Sequence, residues 1–258
     1  MTLQPQRLDA VFIIQWESNW HVGSGLGSAT VDRQLRRRAC GGRGERQPFV
    51  PGSQIKGVLR HRCEELARAM GAGGVVSPHA PPGQLPQPLL EQFRPLAECE
   101  SLVDRLFGTR YQGECLFVED AVPASGATAR SVVHSRTAID RLTGTARHAT
   151  LFSTEVAPAE GCTLTGRLAA RHPAGVLTQA QDDDGFPYEY ALLLASLLTI
   201  DCLGADKSVG LGRCTISIKD NRVRWNEHAA YPLEQALKSL DEQEWLEMLS
   251  MLREEQNS

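Results

Sequence analysis

The stretch PFVPGSQIKGVLRHRCEELARAM, Pro48 to Met70, passes from strand to turn to helix in a few residues. Pro51 and Gly52 make the turn, and Ser53 is placed as the helix N-cap. Ile55, Leu59 and Leu66 then recur at spacings of about one and two turns, which predicts an apolar face on a core. Lys56, Arg60 and Arg68 fall toward another face. Upstream, LDAVFIIQWES (Leu8–Ser18) predicts a buried first strand, followed by a long Gly- and Arg-rich loop without helical periodicity. Loops of that length inside a compact domain are usually functional or disordered.

Downstream, SLVDRLFGTR predicts a short helix ending at Gly108, and ECLFVEDAVP a second strand over Glu114–Val122. A Thr/Arg-rich excursion follows, extended and hairpin-like, with a turn near Leu142 to Gly144. CTLTGRLAAR predicts a third strand, Cys162–Arg171. DGFPYEYALLLASLLTI predicts a second long helix, and LGADKSVGLGRCTISIKD a Gly-rich loop entering a fourth strand at Arg213–Ile218. The tail from Pro232 reads as an acidic amphipathic helix. The order β–α–β–β–α–β, with insertions, predicts an α+β domain with a ferredoxin-like, RNA-recognition-motif-like core. Phe107 and Phe117 are read as core.

Charge is uneven. The whole chain carries −4. Between Val31 and Arg62, Arg33, Arg36, Arg37, Arg38, Arg43, Arg46, Lys56, Arg60 and Arg62 face only Asp32 and Glu45, a local excess of seven positive charges. Such asymmetry predicts a polyanion-binding face on an otherwise acidic body. A second candidate is LGADKSVGLGR, whose glycines let a ligand approach the backbone and whose Lys207 and Arg213 add charge. It is no Walker loop, because no GK[ST] opens a helix. The acidic run Asp182–Asp183–Asp184 is read as a solvated loop.

No apolar run approaches the roughly 20 residues of a membrane span, and the N-terminus lacks the order of a secretory signal. The expected location is the cytoplasm. Seven cysteines occur at wide spacings with no CxxC pair, which argues against a disulfide framework and a zinc ribbon. His61, Cys63, His79 and Cys99 flank a Pro/Gly-rich loop and are the candidate ligands for a zinc ion.

Five segments, in order, resemble the CRISPR-associated RAMP superfamily: WHVGSG, VPGSQIKGVLRHRCE, RLFGTRYQGECLFVEDA, RTAIDRLTGTARHATLFSTEVAPAEGCTLTG and LGADKSVGLGRC, spanning His21 to Cys214. The resemblance implies one RAMP domain over 1–258, with a palm at about 8–120 and 156–220, a thumb at about 121–155 and an acidic C-terminal helix at about 232–254. It implies a backbone subunit of a type III CRISPR effector complex. The implied partners are guide RNA, target RNA and other copies or paralogues of the backbone, with no membrane. Asp32 stands where the family carries an aspartate that cuts target RNA with Mg²⁺ or another divalent cation. An endoribonuclease is therefore expected. The same resemblance, with the charge pattern, makes His21, Arg33, Ser53, Lys56, Arg60, Arg136, Arg141, Lys207 and Arg213 the expected RNA contacts. Two alternatives stay open: a non-cleaving scaffold, in which Asp32 orders its loop through Arg33 or Arg36, and a stand-alone nuclease that processes precursor guide RNA.

Overall fold

The computed structural model describes residues 4–39, 46–72, 101–109, 113–123, 131–180, 185–241, 243 and 245–250. In chain order these form β1 (Gln6–Trp16), a small hairpin of β2 (Arg37–Ala39) and β3 (Arg46–Pro48), and helices α1 (Gly52–Ala69) and α2 (Leu102–Phe107). Then come β4 (Leu116–Val118), β5 (Val122–Pro123), β6 (Val132–Arg136), β7 (Phe152–Val156), β8 (Thr163–His172) and α3 (Tyr188–Leu198). β9 (Cys214–Ile218), β10 (Arg222–Trp225), β11 (His228–Pro232) and α4 (Leu233–Lys238) complete the order. Residues 245–250 are again helical.

The architecture is mixed α+β around one antiparallel sheet. β1 and β8 form its centre, paired from Gln6↔His172 to Gln15↔Thr163. β4 and β5 lie along the far side of β8, and β9 and β10 along the far side of β1. Strands that alternate with helices therefore lie in the order β9–β1–β8–β4. Leu8, Ala10, Phe12, Ile14 and Trp16 of β1, with Leu164, Leu168 and Ala170 of β8, point into one core. The alternation is that of a sheet covered on one face. α1 presents Ile55, Leu59, Cys63 and Ala67 to this core, one turn apart. α3 packs on α1 and α4 and is apolar on nearly every side, so almost all of it is buried.

Several expected elements shift. The predicted strand Glu114–Val122 is broken. β8 advances three residues, Leu168 to Thr165, while the partner advances four, Val118 to Val122. That extra residue is a bulge, a device that re-aims side chains. Here Ala121 is released to pair with Val50, and Asp120 meets the start of α1. Phe117, expected in the core, is 61% exposed on the open face of the sheet. The tail helix is interrupted at Ser239, and Trp245 then anchors it by donating from Nε1 to the Met70 carbonyl at 2.7 Å. β10 and β11, short and charge-interrupted, were not expected. They add an antiparallel ribbon beside the first half of β1, where Trp225 donates to Gln6 at 3.0 Å.

Ser53 is not the N-cap. Pro51 occupies that position with no side-chain hydrogen bond, and the free Gly52 N–H is taken by Asp120 Oδ1 at 2.9 Å. A carboxylate at a helix N-terminus compensates the macrodipole. A Cβ on residue 52 would stand 2.0 Å from the Val118 carbonyl oxygen. Gly52 thus permits the close seating of α1 on the β4–β5 bulge. Gly52→Ala should destabilise the protein by about 1–3 kcal/mol, the usual cost of overpacking. Urea unfolding checks this; an unchanged midpoint would mean that α1 can back away freely.

Candidate nucleic-acid interface

Three segments leave the same end of the sheet. The loop 17–36 follows the last residue of β1. The β6–β7 hairpin rises between β5 and β8, whose adjoining ends pair as Pro123↔Leu164. The Gly-rich loop 203–213 leads into β9, whose first residue pairs with Trp16. Trp20 and Ala157 exchange two backbone hydrogen bonds of 2.9 Å, the Ala205 N–H reaches the His21 carbonyl at 2.8 Å, and the Gly212 N–H reaches Asn19 at 2.8 Å.

Asp32 sits on the exposed outer side of this junction. Its Oδ2 accepts from the Ser153 N–H at 2.6 Å and from Ser153 Oγ at 2.9 Å. These bonds, the backbone one foremost, hold its carboxyl below the usual carboxylate range, so it stays ionised. The neighbouring backbone runs parallel to β7: Arg33 donates to the Ser153 carbonyl at 3.1 Å and accepts from Glu155 at 2.9 Å. Asp32 is therefore ordered through Ser153, and not through Arg33 or Arg36 as the scaffold alternative expected. Glu155 holds the next part of the loop, accepting from the Leu35 N–H at 2.9 Å and from Arg37 and Ser131 at 2.7 Å each. Burial opposes its charge, but those three donors outweigh it and keep Glu155 ionised.

The arginines expected to contact RNA are only partly free. Arg33 and Arg136 converge on Asp206, at 3.2 and 3.0 Å. Arg213 lies 3.7 Å from Glu17 and is otherwise exposed. Lys207 and Arg141 have no ion-pair partner among the described residues. Lys207 lines a shallow cleft of about 460 Å³ with Gly57, His61, Arg62 and Asp201. Arg141 lies at the hairpin turn, which Asp140 organises by accepting from the Leu142 and Thr143 N–H groups at 2.9 and 3.2 Å. Leu142 beside it is 97% exposed.

Of the other expected contacts, His21 is buried, Lys56 and Arg60 are half-buried and already paired, and Ser53 is exposed. His21 is 2% exposed, and its Nδ1 lies 2.6 Å from the Glu155 carbonyl, so the ring pins the first loop to β7. Lys56 binds the Leu116 carbonyl and Glu114, both at 2.6 Å. Arg60 binds Asp104 at 2.9 Å, Glu64 at 3.1 Å and the Gly108 carbonyl at 3.3 Å. Both cations lock α1 to its neighbours, and Asp120 takes the Gly52 N–H at the helix start. Ser53 is exposed but stands beside that carboxylate. Arg60→Ala should therefore cost about 1.5–3 kcal/mol of stability, as expected for hydrogen bonds to charged groups. The slope of RNA affinity against salt should not change; a slope reduced by about one would return Arg60 to the phosphate-contacting set.

Of the four expected zinc ligands, His61 and Cys63 lie within the described residues, and they face opposite ways. His61 is exposed and pairs with Glu65 at 3.1 Å, while Cys63, two residues on, is fully buried on the opposite face, where burial pushes its thiol up to about 12. His79, Cys99 and Asp182–Asp184 lie outside the described residues. Cys63, Cys115, Cys162, Cys202 and Cys214 are free thiols. Toward a divalent cation, Asp32 offers one uncommitted oxygen, Asp206 has both oxygens on arginines, and no cluster of three metal-binding side chains forms among the described residues. These residues alone do not hold such an ion.

Residues 14–215 match the RAMP superfamily. The chain belongs to the RAMP superfamily. As a RAMP protein it is a CRISPR-associated RNA-binding module, which fits a surface that carries Arg141, Lys207 and Arg213 on its exposed loops. Comparison with curated proteins gives no match. No helix among the described residues of this RAMP protein is long and apolar enough to cross a membrane. Ser153, Glu155 and Asp206, which hold its interface together, escaped the sequence reading. Ser153 and Glu155 lie within the LFSTE block that carried the resemblance, but nothing local says that they bond to residues about 120 positions away.

Proposed function

We propose that the chain is a backbone subunit of a type III CRISPR effector complex, which holds guide RNA and cuts the paired target with Asp32. The strand order β9–β1–β8–β4 with α1 and α3 on one face is that of a ferredoxin-like palm, and the β6–β7 hairpin is its thumb. The palm, thumb and tail are read as one domain. The observation that carries the reading is the exposed, ionised Asp32, clamped to the thumb base by Ser153 on a loop that also carries Arg33 and Arg36. Cations position a phosphate backbone without reading its sequence, which suits recognition by base pairing. RNA can be cut by in-line attack of its own 2′-hydroxyl on the adjacent phosphate. Asp32 can take the proton of that hydroxyl as the P–O2′ bond forms and the P–O5′ bond breaks, giving a 2′,3′-cyclic phosphate and a 5′-oxygen that takes a proton from water, while arginines and lysines of the interface stabilise charge on the phosphoryl oxygens. A divalent ion, if bound through the free oxygen of Asp32, would supply further charge stabilisation at the phosphate.

One observation favours the scaffold reading: half of the Asp32 carboxylate is already used to dock its loop. The processing-nuclease reading has less support, because His21 is buried, His61 is paired, and His134 and His148 lie on the thumb. The test is assembly on a guide RNA followed by addition of matching target. Several copies per guide with cuts at regular intervals support the proposal. Assembly without cuts leaves a scaffold, and cleavage of precursor guide by the free chain would overturn both.

A further inference from the structure

Asp206 touches all three segments of the interface. It lies on the Gly-rich loop, its Oδ1 is 3.2 Å from Arg33 Nη1 on the loop after β1, and its Oδ2 is 3.0 Å from Arg136 Nη1 on β6. We propose that Asp206 is a positioning residue that holds the Asp32 loop in register with the thumb. The inference rests on the reading of Asp32 as the cutting residue.

The geometry favours a fixed anchor. Asp206 has φ +58°, a left-handed conformation uncommon for an aspartate, and its carbonyl accepts from Val209 at 3.1 Å and Leu211 at 3.3 Å. Both ends of its loop are seated tightly. A Cβ on Gly204 would stand 2.5 Å from the His21 carbonyl oxygen, and one on Gly212 2.0 Å from that of Leu203. The loop therefore has little room to slide, and the carboxylate is presented from a rigid frame. What it grips lies one residue from the site. Arg33 follows Asp32, and its guanidinium also covers the Phe152 ring at 5.7 Å. Phe152 precedes Ser153 and pairs with Arg136 across the hairpin. Asp32, Ser153, Arg33, Phe152, Arg136 and Asp206 thus form one continuous set of contacts. Loss of the Asp206 charge leaves two guanidiniums facing each other and removes the tie that fixes Arg33.

The experiment compares wild type, Asp206→Asn and Asp206→Glu as full chains. Amide hydrogen exchange is read at Arg33 and Gln34, whose N–H groups bond to Ser153 and Leu26. Single-turnover target cleavage and RNA affinity are then read in the assembled complex. Asp206→Asn should speed exchange at those amides by roughly tenfold, with the melting midpoint near wild type. It should slow cleavage by about 10- to 100-fold, since small misplacements of reacting groups have effects of that size, without weakening RNA binding. Asp206→Glu should restore most of both. Unchanged exchange in Asp206→Asn overturns the proposal, as does normal cleavage with faster exchange. Tighter RNA binding with faster cleavage also overturns it, because Asp206 would then be a mask that RNA phosphate displaces. If wild type does not cut at all, faster exchange still upholds Asp206 as the tie, and only the role of Asp32 fails.

Discussion

Asp32→Asn should leave guide and target binding unchanged and slow target cleavage by about 10²–10⁴-fold, the range that a positioned acid–base group contributes. Asparagine is chosen because its side-chain oxygen still accepts from the Ser153 N–H and Oγ, so the loop stays docked and only the charge is lost. Loss of cutting can then be assigned to chemistry and not to a displaced loop. An unaltered cutting pattern would make the chain a scaffold or place the cutting residue elsewhere. A pH profile adds an independent check. Ser153 holds the Asp32 carboxyl below its ordinary value of 3.8. Ionised Asp32 is therefore lost only as pH falls through that lowered value. Ser153→Ala removes one of the stabilising donors, so the acid limb of the rate should move to higher pH.

Glu189→Ala should cost about 3–5 kcal/mol, the usual penalty for breaking a buried ion pair from one side. Glu189 is 0% exposed at the start of α3. It accepts from Arg105 at 3.1 Å and from the Thr178 N–H at 2.9 Å. Burial pushes its carboxyl up despite Arg105, so the ionised form is held under tension. Glu189→Gln, which keeps the shape and an acceptor for Thr178, should therefore cost less than alanine. Denaturant unfolding of both variants decides the matter; an alanine variant within about 1 kcal/mol of wild type would show that Arg105 finds other partners at no cost. The pair ties α2 and the segment before α3 to the helical layer, far from Asp32, so cleavage per folded molecule should be unaffected.

Periodicity made much of the scaffold legible. The alternation in Leu8–Trp16, the apolar run in Tyr190–Ile200 and the turn–helix at Pro51–Gly52 are local signals, and local physics decides them. The bulge at Asp120, β10 and β11, and the outward-facing Phe117 are set by which strand lies beside which, and no short window carries that. The basic helix after Pro51–Gly52 shows the same distinction. Residue type alone made Lys56, Arg60 and the helix start look like a phosphate site. Folding brings Glu114, Asp104 and Asp120 to them from 44 to 68 positions away, and a cation beside a carboxylate in a half-buried site is already satisfied.

The sequence by itself indicated the alternation of the main strands and helices, the position of Asp32 on a long basic loop, and an extended hairpin with its turn near Leu142–Gly144. Only the tertiary structure decided which charges remain available. Pairing of charges depends on separations of about 3 Å between residues distant in the chain. The packing that brings Ser153 to Asp32, and Arg33 and Arg136 to Asp206, is a property of the whole core, with no counterpart in any single segment.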